Sequence, residues 1–514
     1  MTKDKTNAQA SRQPSYLPNV AKGAMINLFG AGSRTVLLYA YTLLLARTLA
    51  PSELGEYFLA FTIINILGLV ATVGLDFGVV RYVSLFAGEG KFVLVRKTLT
   101  AGLLLGIPVA VAVTTVLIGL APQLAGILLD NSQTSVAALR IFAISIPFWV
   151  AARLFNATTQ GMHRMQYQVY SRDMGEQFSK FCFSILALAL GSGLVGVMWA
   201  NVASVAVAAG MSLWYATLVL PRVGQSEGTQ PNPSGRIFRY SFPLAFSNIL
   251  GMILIWVDML LMGYLGTSTD VGYYGAALRV GTGSAAVLLA FATVFTPVIS
   301  DLYNKHHAVE LQALYKTVAR WIFTCSFPIF IVIVMLANPV MRLFGSDFTA
   351  GSGTLVLLAF SQLINAGTGT AGLMVLMSGR SQMELLNVAV SLVVNVALCI
   401  LLIPSLGMIG AAIANVSAAG VINLMRAAEV WIFLRMHAYD RDYIKPILAG
   451  AGGALMVFLE GRFVNLGSSL VALLVPAATL VAVYIILTVA LGLDEHDKMV
   501  VGMFKGRLTR TEAM

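Results

Sequence analysis

Apolar residues run along this chain in blocks of 20 or more, each closed by a short polar stretch holding Gly, Pro, Ser or charged residues. A helix rising about 1.5 Å per residue crosses about 30 Å of hydrocarbon with such a block. The pattern predicts helices over 22–48, 56–84, 95–120, 134–160, 168–190, 194–220, 237–263, 273–300, 313–337, 351–378, 382–403, 408–435, 444–463 and 467–491. Fourteen such spans make an all-α polytopic membrane protein. Of the 514 residues, 58% are hydrophobic and 11% charged, against roughly 25% charged in soluble domains, which excludes a soluble globular protein. The opening stretch is polar up to Gly23, unlike a cleavable signal, so the first span is expected to be retained.

Charge placement orients the spans. The formal net charge of +10 in a soluble chain would suggest nucleic acid. Here, with a cytoplasmic amino terminus, 24 of the 33 Lys and Arg residues fall in inner loops and flanks, against only Arg47, Arg140, Arg342 and Arg462 outside. The positive-inside rule therefore places both termini in the cytoplasm, and no nucleic-acid partner is implied.

The chain also repeats itself. TLAPSELGEYF (48–58) resembles YLGTSTDVGYY (264–274), with Gly55 and Gly272 separated by 217 residues; GVMWANVAS (196–204) resembles GAAIANVSA (410–418) at 214. An offset of six spans preserves orientation, so the halves are parallel repeats, a known transporter arrangement. The organisation predicted is an N-terminal six-helix lobe over 1–220, a Pro-, Gly- and Ser-rich cytoplasmic linker over 221–236, a C-terminal six-helix lobe over 237–435, and two additional helices with a cytoplasmic tail over 436–514.

Five cations, Arg34, Arg153, Lys180, Arg279 and Arg426, fall inside predicted spans. An uncompensated Arg or Lys at a helix centre costs about 2.5–3.5 kcal/mol on the insertion scale, so such residues normally face a bundle interior or a water-filled cavity. Counted along their spans, Arg34 and Lys180 both fall near mid-membrane, and the functional reading is a basic cavity for an anionic headgroup. The structural alternative is pairing: Arg172, Glu176 and Lys180 follow at successive i,i+4 spacings, and Glu429 stands at i+3 from Arg426. Arg279 and Asp258 match in depth, as an outer gate pair or an outer anchoring point. Asp76, in GLDFGVVRY, lies five residues before Arg81, off the i,i+4 spacing, so its partner is expected on the first helix or in the other half. Either Asp76 or Asp258 is a candidate for a coupling proton or cation, since intramembrane acids are common on ion pathways.

Other strings carry no chemistry. GQSEG (224–228) fits G-x-S-x-G but occupies the polar linker rather than a strand-to-helix elbow. GEGK (88–91) lacks the remaining residues of a phosphate-binding loop. The five histidines form no H-E-x-x-H motif or ligand cluster, and the three cysteines stand singly in apolar runs. No catalytic residue, metal or cofactor is expected; energy is expected from a proton or sodium gradient, or from the substrate's own gradient.

Through AGSRTVLLYAYTLLLARTLAPSELGEYF (31–58) and GLDFGVVRYVSLFAGEGK (74–91), and through its fourteen-span, two-half plan, the chain resembles the polysaccharide flippases of the multidrug/oligosaccharidyl-lipid/polysaccharide exporter superfamily. The resemblance implies a V-shaped pair of six-helix lobes. It also implies that undecaprenyl-pyrophosphate-linked oligosaccharide is moved from the inner to the outer leaflet of a bacterial cytoplasmic membrane, for cell-surface or exopolysaccharide synthesis. The headgroup would enter the cavity while its tail stays among membrane lipid, and a polysaccharide polymerase or assembly complex is an expected partner. The likeness assigns Arg34 and Arg279 to the cavity and places Asp76 and Arg81 near an inner gate; the buried charges themselves add Arg153 and Lys180 to the cavity, with Arg426 and Glu429 as secondary candidates. Rival readings are a cation-coupled multidrug exporter of the same fold, a membrane polymerase or ligase, for which every predicted outer loop is too short, and a non-transporting scaffold for polysaccharide assembly.

Overall fold

A computed structural model of the chain describes residues 17–128, 133–220, 234–463 and 471–492. Both expected cytoplasmic termini, the linker as far as residue 233 and the side chain of Arg462 lie outside the described residues. Every regular element among the described residues is a helix. The chain separates into two compact units, residues 1–256 and 257–514. The first contains α1 (Leu17–Thr48), α2 (Pro51–Thr72), α3 (Leu75–Gly88), α4 (Phe92–Leu128), α5 (Gln133–Ala143), α6 (Ser145–Gly161), a π-helical segment Val169–Glu176 running into α7 (Gln177–Ala189), and α8 (Gly193–Val219). The division falls within α9 (Ser234–Leu265). The second unit continues with α10 (Ser268–Gly281), α11 (Ala285–Asn304), α12 (Ala308–Met335), α13 (Ala337–Arg342), α14 (Ser352–Thr368), α15 (Ala371–Met377), α16 (Ser381–Leu406), α17 (Met408–Glu429), α18 (Ile444–Phe463) and α19 (Val471–Ala490).

Twelve helical stretches among the described residues are long and apolar enough to cross a membrane. The first and fifth predicted spans are also helical but bear charges along their length, Arg34 and Arg47 on α1 and Arg172, Asp173, Glu176 and Lys180 on the fifth. The protein is thus an all-α polytopic membrane protein.

Several predicted spans are broken, each for a local reason. The second divides at Val73 and Gly74, both at positive φ (50° and 66°). A Cβ on Gly74 would lie 2.7 Å from the Ser241 carbonyl oxygen, so this turn presses directly on α9. The fourth divides at Ile144, next to Pro147. Pro147 has no N–H to give to the carbonyl four residues earlier. That carbonyl, of Ala143, instead accepts from the Thr114 hydroxyl of α4 at 3.1 Å, the substitute a break inside a bilayer requires. The eighth passes through a 3₁₀ turn at Thr282–Ser284 between α10 and α11.

The repeat reaches the capping chemistry. Ahead of α2 the Ala50 N–H donates to Glu53 Oε2 at 3.0 Å; ahead of α10 the Thr267 hydroxyl accepts from the Asp270 N–H at 3.1 Å. Thr267 and Asp270 each follow their counterparts by the same offset as Gly272 follows Gly55. Tyr57 and Tyr274 are likewise equivalent. Tyr57 receives a hydrogen bond from Tyr41 at 3.0 Å, whereas Tyr274 donates to Asp258 at 2.9 Å, and Asp258 stands where Tyr41 stands in the first half. In the second unit the final pair, α18 and α19, packs on α12 through Ile331, Val457 and Leu480.

Candidate functional site

Three contacts fix how α1 meets the fifth span. A Cβ on Gly30 would overlap Val169, Arg34 Nη1 lies 3.5 Å from Asp173 Oδ1, and Lys180 Nζ lies 5.1 Å from the Tyr41 ring centre. Each contact joins residues 139 apart in sequence, so the helices run in parallel in one constant register. The seven residues between Arg34 and Tyr41 amount to about 10 Å of helix rise. Arg34 and Lys180 therefore occupy successive layers of this interface.

In the layer of Arg34 the site is charge-dense. The Arg34 side chain is 43% exposed and its Asp173 partner 14%, and at 3.5 Å they form an ion pair without a hydrogen bond. Arg172 is half-buried on the π-helical segment and lies within electrostatic range of Arg153, Glu176, Arg34 and Asp173. Among the described residues no carboxylate lies within 4.0 Å of its guanidinium. Glu176 faces the charges of Lys180 and Arg172, as the i,i+4 spacing suggested. In the other layer Lys180 is 2% exposed and sits against the rings of Tyr41 and Phe61, 5.4 Å from the second. The Tyr41 hydroxyl also accepts from Ser184 at 3.4 Å.

Arg153 reaches Asp76 rather than open space. Its Nη2 and Nε donate to Asp76 Oδ2 at 2.5 and 3.1 Å, and its guanidinium stacks 4.8 Å over Trp149. The partner expected for Asp76 on the first helix or in the other half is thus on α6, because α3 packs along α6. Arg81 lies 4.2 Å over the ring of Tyr240. The small residues flanking Asp76 let α3 approach α9: a Cβ on Gly78 would overlap Ser241 Oγ and lie 2.9 Å from Ile237 Cγ2.

In the second unit Asp258 is 1% exposed. Its Oδ2 accepts from Tyr274 at 2.9 Å and from Asn415 at 2.6 Å, with Asn395 close by; these are neutral donors. The expected gate partner, Arg279, turns back along its own helix, donating to the Gly275 carbonyl at 3.0 Å. Arg426 is not held by Glu429. It forms a two-pronged pair with Glu384 of α16, Nε to Oε2 at 3.1 Å, while Glu429 accepts from Asn387 at 2.9 Å. The spacing along α17 suggested the intrahelical pair; the close packing of α16 on α17 supplies a better aligned carboxylate. Tyr41, Tyr274, Asn395, Asn415 and Glu384 were not singled out from sequence. The repeated strings that hold Asn201 and Asn415, and Tyr57 and Tyr274, were the signals that pointed toward two of them.

The fold of this chain resembles those of solved membrane exporters. Its structure is similar to that of lipid II flippase MurJ in an inward closed conformation, with TM-score 0.73 and 15% identity, covering 90% of this chain and 97% of that one. It is also similar to an inward-facing multidrug resistance MATE family transporter of the MOP superfamily, with TM-score 0.68 and 16% identity, covering 78% and 95%. At these identities the likeness is one of fold. A family model described as polysaccharide biosynthesis protein matches residues 20–303, over half of the sequence, and a MatE model matches residues 243–401. The chain belongs to the polysaccharide biosynthesis protein family. Its members are transport proteins rather than enzymes. A 192-residue stretch is 26% identical to the "Probable low-salt glycan biosynthesis flippase Agl15" of Haloferax volcanii, and this match spans 37% of the chain and 41% of that relative's length.

Proposed function

We propose that the protein moves undecaprenyl-pyrophosphate-linked oligosaccharide from the inner to the outer leaflet of a bacterial cytoplasmic membrane by alternating access, for cell-surface or exopolysaccharide synthesis. The observation that carries this reading is the gathering of Arg34, Arg153, Arg172 and Lys180 within one unit against three acids, Asp76, Asp173 and Glu176. Among the described residues Arg34 meets its carboxylate at 3.5 Å without a hydrogen bond and Arg172 has none within 4.0 Å, and cations so placed among membrane helices are costly unless an anion comes to them. Phosphate oxygens suit guanidinium donors in charge and geometry. Arg279 is assigned to the same headgroup pathway, and Arg81 to an inner gate with Asp76.

In this reading the fourteen helical stretches all cross the bilayer as two six-helix bundles arranged as a V, with α18 and α19 added and both termini cytoplasmic. The polyprenyl tail stays in membrane lipid, and a polymerase or assembly complex receives the product. Asp258 is the better candidate for a coupling proton or sodium ion, because Arg153 already neutralises Asp76 whereas the donors to Asp258 among the described residues are neutral. That buried acid also favours the second reading, a cation-coupled multidrug exporter.

The test is reconstitution in proteoliposomes with a fluorescently labelled lipid-linked oligosaccharide and an impermeant quencher. Wild-type protein is expected to bring the label across, and Arg34→Ala to block it at normal protein abundance. No movement by the wild type overturns the flippase reading. Export of an organic cation by both wild type and Arg34→Ala supports the rival.

A further inference from the structure

The second and fourth predicted spans break for different kinds of reason. In the fourth, Pro147 has no N–H to donate, so that break is covalent and permanent. In the second, the string LGLVATVGLDF (67–77) holds no proline, and no missing donor forbids one helix from Pro51 to Gly88. Yet Val73 and Gly74 both take left-handed backbone, at φ 50° and 66°. Gly74 does so freely. Val73, branched at Cβ, does so against steric repulsion, and helical backbone would relieve it. The turn is closed by the Val73 N–H donating to the Val70 carbonyl at 3.0 Å and the Phe77 N–H to the Gly74 carbonyl at 3.1 Å, three-residue steps in place of the four-residue ladder.

What holds the strained turn is tertiary, and it grips both sides. Trp149 and Arg153 stand at i,i+4 on α6. A Cβ on Gly68 of α2 would lie 2.8 Å from Trp149 Cε3, the Trp149 ring faces the Arg153 guanidinium, and Arg153 donates twice to Asp76 of α3. One face of α6 thus reaches across the bend from α2 to α3. Further along α3, Val83 lies where a Cβ on Gly161 of α6 would be. On α9, Ser241 meets Gly74 through its carbonyl and Gly78 through its hydroxyl. The bend also leaves two buried polar atoms, Asp76 Oδ1 and Ser241 Oγ, without a hydrogen-bond partner among the described residues, a second cost beside the first. Sparsely populated backbone persists only where its surroundings impose it, and it gathers at switch regions. We propose that Val73–Gly74 is a reversible hinge of the first unit, bent while α6 holds α3 through Arg153 and Asp76, and drawn into one continuous α2–α3 helix when that pair opens. The strain at Val73 drives the movement that the ion pair restrains. This rests on the alternating-access reading above and adds where the first unit bends.

The test is fluorine NMR of the full-length protein in nanodiscs. A trifluoromethyl label is placed on Leu85→Cys, 48% exposed near the far end of α3, with Cys182→Ser, Cys325→Ser and Cys399→Ser to leave one site. Two resonances are expected, one bent and one straight. Val73→Gly removes the strain and is expected to shrink the straight resonance by about fivefold. Asp76→Asn, which keeps the size of the side chain, releases the hold of α6 and is expected to enlarge the same resonance by a similar factor. Gly74→Ala is expected to enlarge it too, because its methyl would meet the Ser241 carbonyl at 2.7 Å in the bent form. A single resonance common to the wild type, Val73→Gly and Asp76→Asn, or a change in the same direction in both variants, overturns the hinge, and this comparison stands even if Gly74→Ala does not fold. In proteoliposomes Val73→Gly is expected to move labelled lipid-linked oligosaccharide severalfold more slowly at unchanged abundance; an unchanged rate overturns the hinge as a step of the cycle. Opposite responses of the resonance in a wild-type background that moves no labelled lipid overturn the flippase reading and leave the hinge in place.

Discussion

The pair formed by Asp76 and Arg153 gives the sharpest stability test. Replacing Asp76 with Asn keeps the shape and removes the charge that neutralises Arg153. The two side chains are 12% and 18% exposed, so solvent screens their interaction little. Removing one partner of a buried pair costs about 3–5 kcal/mol. Here Trp149 still faces the stranded guanidinium at 4.8 Å, a contact that returns about 1 kcal/mol, so Asp76→Asn is expected to cost about 3 kcal/mol. Arg153→Gln strands the carboxylate instead and is expected to cost a similar amount. The double variant leaves two neutral amides and is expected to lose no more than either single change, a coupling of about 3 kcal/mol. Reversible unfolding in mixed detergent micelles, run as a double-mutant cycle, measures it. Single-variant losses that add within about 0.5 kcal/mol would refute the claim that this pair is the structural tie between α3 and α6.

Further outcomes follow from other contacts. Gly78→Ala is expected to destabilise the protein by about 1–3 kcal/mol through overpacking against Ser241 and Ile237, seen as a lowered unfolding midpoint, whereas Gly88→Ala, with nothing within 4 Å of the added carbon, leaves the midpoint in place. Asp258→Asn is expected to let transport proceed while abolishing its response to an imposed sodium or proton gradient in proteoliposomes; an unchanged response removes Asp258 from coupling. Arg320 is buried and donates to Asp442 at 3.1 Å, with Asp440 at 3.7 Å, so Arg320→Ala is expected to release the 435–443 connection, read as faster limited proteolysis there. Unchanged cleavage shows that Gln312, which both donates to and accepts from the His437 backbone, holds that connection by itself.

Helix positions were legible because apolar block length is itself the physical requirement for crossing hydrocarbon; α16 and α17 fall within a few residues of the stretches read at 382–403 and 408–435. The clustering of Arg172, Glu176 and Lys180 was legible too, since helical spacing alone sets it. What stayed hidden depended on which helices are neighbours. Nothing along α17 indicates that Glu384 takes Arg426 from Glu429, and nothing near Asp76 points to Arg153, 77 residues away. The π turn was hidden for a different reason: one added residue per turn leaves hydropathy unchanged, and its cause is tertiary, in the contacts of Gly30, Asn156 and Met211 with the segment.

The phenols at Tyr57 and Tyr274 have a consequence for how charge is distributed along the chain. Tyr57 accepts from an uncharged hydroxyl at Tyr41, whereas Tyr274 donates to an acid at Asp258. A phenol can do either, so the same side chain at the same repeat position accommodates a neutral neighbour in one half and an ionisable one in the other. The electrical character of the two halves can thus differ at one residue while the helices that carry it keep their form.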